Sequence, residues 1–407
     1  MATEIKSGWL ARTFKGDRII WGLVVLFMVY SLLAVYSSSA SVAFLKYGGN
    51  TTYFLRSQFV MLVLSIVIIV VVHYLPYRIY FSLAGLFLII AAGLLVLTFI
   101  FGSRVNEATR WLVIPGTGFR LQTSDVAKVA LVIYLARTMA RYQDKLNSFV
   151  FVSKYLLAPV AVICCLIMPE NLSTAMMIFG ISLIIMFVGR VPFKFIIAYI
   201  GIGIAGIIIF AMLLSVFTES NRVKVWQNRI ENYFSGEEDP DGDYQSNQAK
   251  IAISTGGLFG KAPGQSVQRN ILPQSNSDFI FAIIIEEYGL VFGAVPLILA
   301  YMILLFRGVT IAKKCETAFP AFLVLGLIIM IVVQAMLNML VAVGLFPVTG
   351  QTLPMVSWGR TSVLMISFSI GAILSVSRVI NARKLNEDLP EGETSEEEKK
   401  IYETAEA

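Results

Sequence analysis

Apolar residues in this chain arrive in blocks of about 20, the length a helix needs to cross about 30 Å of hydrocarbon, and this recurrence limits the fold more than any other feature. In lipid the backbone must satisfy its own hydrogen bonds, so such blocks become spanning helices. Ten are legible, at roughly 19–40, 57–75, 79–101, 122–141, 153–168, 172–189, 193–217, 279–306, 318–343 and 361–380; the fourth opens on polar residues and the fifth is short. The expected fold is an all-α polytopic membrane protein. Of 407 residues, 57% are hydrophobic and 14% charged, with mean hydropathy +0.77. Soluble chains are roughly half apolar and a quarter charged, so an ordinary soluble enzyme, a disordered chain and a nucleic-acid-binding domain are excluded, and no nucleic-acid partner is expected.

Charge sets the orientation. Cytoplasmic loops of membrane proteins carry the excess of Lys and Arg. Lys6, Arg12, Lys15 and Arg18 precede the first span; Arg78, Arg137, Arg141, Lys145, Arg190, Lys194, Arg307, Lys313 and Lys314 fall in loops on the same side, and Arg378, Arg383 and Lys384 follow the last span. Ten spans with both termini cytoplasmic put all of these on one side. From Leu385 to Ala407 nine acidic residues face two basic ones, and this stretch reads as a disordered cytoplasmic tail. The remainder carries net charge +13, which suits a chain bordering anionic membrane lipids.

One outward loop, 218–278, is long, polar and glycine-rich, and loops of this length are usually functional or disordered. Its Glu237–Asp243 stretch reads as a mobile acidic tip. Gln248–Ser254 suits a short amphipathic helix, after which Gly256, Gly257, Gly260 and Gly264 alternate with Lys261 and Arg269. Glycine permits close backbone approach and arginine pairs with phosphate oxygens, so the segment suits a phosphate, although no nucleotide-binding glycine spacing is present.

Candidate chemistry rests on few residues. The single histidine, His73, closes an apolar block, and Cys164, Cys165 and Cys315 form neither a disulfide framework nor a zinc pattern. Asp125, Glu170, Glu286 and Glu287 lie in or at the mouths of spans, where ionisable groups mark functional sites. Lys128, three residues after Asp125, shares its helical face; the pair is either a structural lock or part of a site. Glu286 and Glu287 point about 100° apart, so at most one faces a given cavity, and helix-packing hydrogen bonds are their alternative role. Asp278 stands where the loop meets the eighth span. It is either a helix N-cap or a general base at the water–lipid boundary. Arg104, Arg110, Lys261 and Arg269 are outward cations against the general charge trend, suited either to lipid headgroups or to another phosphate.

Several motifs carry a family resemblance. Tyr244-Gln245, Gln248–Ile253, Gly256-Gly257, Gly260, Gly264-Gln-Ser266, Gln268-Arg269, Leu272-Pro273, Asp278–Phe281 and Glu286-Glu287 with Gly289 resemble the large outer loop of the SEDS (shape, elongation, division and sporulation) family. Gly344–Gly350 with Leu353–Gly359, and Arg110-Trp111 with Gln122–Asp125 and Lys128, resemble two further family signatures. The resemblance covers nearly the whole chain and implies a peptidoglycan glycosyltransferase acting on lipid II, with a class B penicillin-binding transpeptidase and other division proteins as partners. It places the essential loop carboxylate on Asp278, the carboxylate–lysine pair on Asp125 and Lys128, and a Pro-Asp motif on Pro169 and Glu170. Gln268 joins Arg104, Arg110, Lys261 and Arg269 as expected substrate contacts. A divalent cation, Mg or Mn, is a possible cofactor; no organic cofactor is expected. The chain departs from the pattern at Asp125, at Ser277 (where the family has Thr), at Asn276 (where it has His), at the additional Asn171, and at Arg360 in place of glycine. The N-terminus and Arg360 favour the division branch, at the septum of a bacterial cytoplasmic membrane. A lipid flippase and a non-catalytic division scaffold are the competing readings.

Overall fold

The computed structural model describes residues 15–39, 51–105, 108–113, 120–217 and 242–388. Ten long helices form the body: α1 (Arg18–Ser38), α2 (Thr51–Tyr74), α3 (Tyr77–Phe101), α4 (Thr123–Arg141), α5 (Phe149–Ile167), α6 (Leu172–Val188), α7 (Phe193–Phe217), α9 (Ile280–Lys313), α10 (Ala318–Ala342) and α11 (Arg360–Asp388), with α8 (Gly242–Gly256) in the large loop. Eight of the ten are long and apolar enough to cross a membrane. The other two are α4, which carries Asp125, Lys128, Arg137 and Arg141, and α6, with 17 residues. The short element is thus the sixth, not the fifth: α5 begins upstream at Phe149 and includes a π-helical stretch, Ser153–Leu157.

The all-α expectation meets one exception. Ser103–Val105 (β1), Ala108–Val113 (β2) and Arg120–Gln122 (β3) form a small antiparallel sheet, with Trp111 opposite Gln122 and Val113 opposite Arg120. Its last strand leads straight into α4 and is pinned to α11, because Thr361 Oγ1 accepts from Gln122 N at 3.1 Å and donates to Arg120 O at 3.1 Å.

The centre of the bundle is built by α4, α10 and α11, which pack on one another, while α3 and α7 keep most of their surface outward. At the end holding both described termini, Asp17 caps α1 by accepting from Ile19 N and Ile20 N, and its other oxygen pairs with Arg307 of α9. This cap satisfies amides that a helix start leaves open. His73 is buried at the same end, edge-on to Trp21. Helix α11 runs on to Asp388, past the Leu385 where the acidic tail was read. The rest of that tail, the N-terminal residues up to 14 and most of the acidic 237–243 stretch lie outside the described residues.

Candidate functional site

At the opposite end the large loop folds onto the start of α9 through glycine backbone. Lys261 N donates to Glu286 O at 2.9 Å and Ala262 N to Glu287 O at 3.1 Å; Leu290 N and Val291 N donate back to Gly257 O and Leu258 O, both at 3.0 Å. A Cβ on Gly256 would stand 2.2 Å from Ile285 O, and one on Gly260 2.2 Å from Glu287 O. The glycines therefore serve a backbone seam. Carbonyls of α9 are free to receive the loop because Gly289, at φ +74°, breaks the helical run and a π-helical stretch, Leu290–Ala294, follows.

The two carboxylates at this seam are both buried, at 0% and 1% exposure. Glu286 accepts from Lys261 Nζ at 2.7 Å, Val267 N at 3.1 Å, Gln268 N at 3.3 Å and the Ser266 hydroxyl. Glu287 accepts from the Ser37 hydroxyl of α1 and lies 3.9 Å from Arg269 Nη1, which also donates to Ser37 Oγ at 3.0 Å. Their directions do diverge, yet neither faces an open cavity: one clamps the loop onto itself, the other ties it to α1. The side chains of Lys261 and Arg269, expected at a substrate, thus have protein partners, whereas Gln268 is held through its backbone N–H and its buried side-chain Oε1 has none. The cause is desolvation: a buried carboxylate is retained only when its charge is paired and hydrogen-bonded. Arg104 and Arg110 fall on β1 and β2, with side chains outside the described residues.

Asp278 stands two residues before α9. The cap position is Phe279, so the expected N-cap role falls one residue later, with no side-chain bond there. Asp278 itself is half-buried, between the buried Ser277 and Phe279. Its segment is held from three directions. Asn338 Nδ2 of α10 donates to Asp278 O at 2.8 Å and to Gln351 O at 2.7 Å, Ser357 Oγ donates to Ser277 O at 2.6 Å, and Trp358 N donates to Asn276 O at 2.9 Å. Gln274 (φ 58°) and Met355 (φ 64°), on either side of this junction, hold left-handed backbone, a strained state that persists only where surrounding structure enforces it.

Asp125 and Lys128 are brought together as expected, at 2.8 Å, with side chains 4% and 6% exposed. Lys128 Nζ also donates to Gln334 Oε1 of α10 at 3.0 Å, and Gln334 Nε2 donates to Thr352 O at 3.0 Å. Gln334 and Asn338 lie one turn apart on α10, so a single helix face touches both the ion pair and the Asp278 backbone. Neither amide was singled out in the sequence. The available signal was two amides spaced i, i+4 inside an apolar span, and attention to charges alone passes over it.

Glu170 lies between α5 and α6, half-buried, beside a cleft of about 30 Å³ lined by Thr98, Gln122, Thr123, Ser124 and Asn171. The additional Asn171 caps α6, its Oδ1 accepting from Thr174 N at 3.1 Å. Among the described residues no three His, Cys, Asp or Glu side chains converge on a possible metal position.

The comparisons agree with this geometry. Residues 17–382 match the FtsW, RodA and SpoVE family model, described as cell cycle protein. A probable peptidoglycan glycosyltransferase FtsW of Trichlorobacter lovleyi is 30% identical over 90% of this chain and 94% of its own length. Stage V sporulation protein E of Bacillus subtilis is 32% identical over 89% and 97%. In fold, the chain resembles one from a structure described as the structural coordination of polymerization and crosslinking by a peptidoglycan synthase complex (TM-score 0.69, 22% identity, 91% of this chain and 98% of that chain). It also resembles the rod shape determining protein RodA of Thermus thermophilus (TM-score 0.64, 23% identity, 91% and 98%). The match over nearly the whole length, together with the clamped loop, the buried carboxylate–lysine pair and the polar α10 face, identifies this chain as a member of the FtsW/RodA/SpoVE family of multi-pass membrane proteins.

Proposed function

We propose that this peptidoglycan glycosyltransferase polymerises lipid II at the outer face of the bacterial cytoplasmic membrane, in septal wall synthesis, with Asp278 as general base. The observation that carries the reading is the half-buried Asp278 at the loop–span junction, its backbone held by Asn338, Ser357 and Trp358 through neighbouring carbonyls. A general base works only when positioned, and then supplies roughly 10²–10⁴-fold. The acceptor sugar's 4-hydroxyl oxygen attacks the donor's anomeric carbon as the carbon–oxygen bond to pyrophosphate breaks. The hydroxyl proton passes to Asp278, and undecaprenyl pyrophosphate leaves with the bonding pair. A single displacement inverts the anomeric centre and needs one base and no covalent intermediate.

Arg104 and Arg110, and the part-exposed Lys261, stand as cations for the leaving group; Arg269 acts through Glu287, and Gln268 donates to Glu286 through its backbone N–H alone. Glu170 lines the cleft beside the start of α4. A divalent cation, Mg²⁺ or Mn²⁺, would arrive with the pyrophosphate, since the described residues hold no cluster of three ligating side chains, and no step depends on it. The likeness to a chain of a peptidoglycan synthase complex supports a class B transpeptidase as partner.

Polymerisation by purified chain in detergent, where no second compartment exists for a flippase, tests the reading. Asp278→Asn keeps the side-chain shape. It should fold, bind lipid II and make no glycan, and near-normal glycan synthesis by the folded variant would overturn the assignment.

A further inference from the structure

We propose that Arg360 is a binding residue for the pyrophosphate of the lipid carrier. This rests on the glycosyltransferase reading above and deepens it. Lys261 and Arg269 are engaged by Glu286 and Glu287. Arg360 has no such partner: no carboxylate of the described residues lies within ion-pair distance of it. Its described contacts are a guanidinium stacked over the Trp358 ring, 5.9 Å from the centroid, and a long hydrogen bond of 3.5 Å to Ser57 Oγ of α2. The side chain is half-buried. A guanidinium packed on an aromatic face and tethered at one edge keeps its other N–H donors for a ligand, and its planar fork fits phosphate oxygens.

Its surroundings tie it to the reacting end. Trp358, beneath the guanidinium, donates through its backbone N–H to Asn276 O, two residues before Asp278, and its own buried indole Nε1 has no partner. Thr361, the next residue, bonds Arg120 O and Gln122 N at the start of α4, and Ser362 Oγ meets Thr352 Oγ1 at 3.0 Å. Arg360 therefore stands where α2, the strand leading to α4, the 350–359 segment and the Asp278 turn meet. When the sugar–phosphate bond breaks, the bonding pair and negative charge move onto the pyrophosphate oxygen. A fixed cation favours that product and the transition state leading to it.

The test is binding of undecaprenyl pyrophosphate to the full-length protein in nanodiscs, compared with undecaprenyl alcohol, for wild type, Arg360→Lys, Arg360→Gln and Asp278→Asn. Thermal melting establishes that each variant is folded. Arg360→Gln should weaken binding of the pyrophosphate on the order of 10-fold, leave binding of the alcohol unchanged, and slow lipid II polymerisation. Arg360→Lys should fall between. Asp278→Asn should bind the pyrophosphate like wild type. Equal affinity of wild type and Arg360→Gln, no binding by wild type, or parallel loss of pyrophosphate and alcohol binding would each overturn the proposal. Normal glycan synthesis by Asp278→Asn would instead strike at the base assignment and leave the Arg360 affinities standing.

Discussion

Lys128 shows how much one buried side chain can hold. It neutralises Asp125 and orients Gln334, whose amide in turn satisfies Thr352 O. Asp125 Oδ2 is already buried without a hydrogen-bond partner. Lys128→Ala would strand the whole carboxylate in the interior, at a cost of roughly 3–5 kcal/mol for breaking a buried pair from one side. We expect a lower melting temperature and poor yield in detergent, with much of both restored when Asp125 and Lys128 are exchanged together for Leu and Met. A folded but inactive double variant would make the pair functional as well as structural, and an unchanged melting temperature for Lys128→Ala would show that the pair contributes nothing to stability. Asn338→Ala acts on the same face of α10. It removes the donor to two carbonyls, Asp278 O and Gln351 O, each unsatisfied group costing about 1–3 kcal/mol. Because it frees the Asp278 turn, turnover should fall more than lipid II affinity, as a split between kcat and KM would reveal.

At the scale of elements, the loop following α8 is a strap laid on α9. Its hold on α9 is largely backbone to backbone, so a side chain is excluded where the two backbones approach closest, at Gly256 and Gly260. In Gly260→Ala the new Cβ meets Glu287 O at 2.2 Å with φ at +79°, and the strap must lift. In Gly257→Ala nothing lies within 4 Å, and only the left-handed backbone, φ +57°, is strained, at about 1–2 kcal/mol. Gly260→Ala should therefore open the 257–277 segment to protease and Gly257→Ala should not; equal cleavage of both would argue against a seam. The π-helical stretch of α9 belongs to the same device, since a pure α-helix there would leave no carbonyls for the strap.

For the whole molecule, the decisive property is sidedness. Asp278, Arg360 and the strap share one end of the bundle and the Asp17–Arg307 pair the other; the positive-inside rule predicts that the first end faces outward. A reporter fused after Lys384 should be cytoplasmic and one inserted near Asp241 external. Labelling of the former from outside, or protection of the latter, would overturn the predicted orientation and, with it, the proposal that the site meets lipid II at the outer face.

Most helices were legible in the primary structure because hydrocarbon accepts only long apolar segments, a rule that acts locally. The Asp125–Lys128 pair was legible for the same local reason, three residues on one helix. Asn171 as a cap and Gln334 with Asn338 as binding amides were not: polar groups in a span announce a need for partners without saying which. Gln334 meets Lys128 206 residues away and Asn338 meets Asp278 60 residues away. Lys261 and Arg269 were read as substrate cations because their carboxylates appeared only as neighbours on a helix. Folding the glycine strap onto α9 pairs those charges with Glu286 and Glu287, while Arg360 meets no carboxylate among the described residues. The chain's chemistry was thus written in its residue types, while the choice of which charges stay available was made by tertiary packing, because burial requires pairing and only the packed structure determines who is buried with whom.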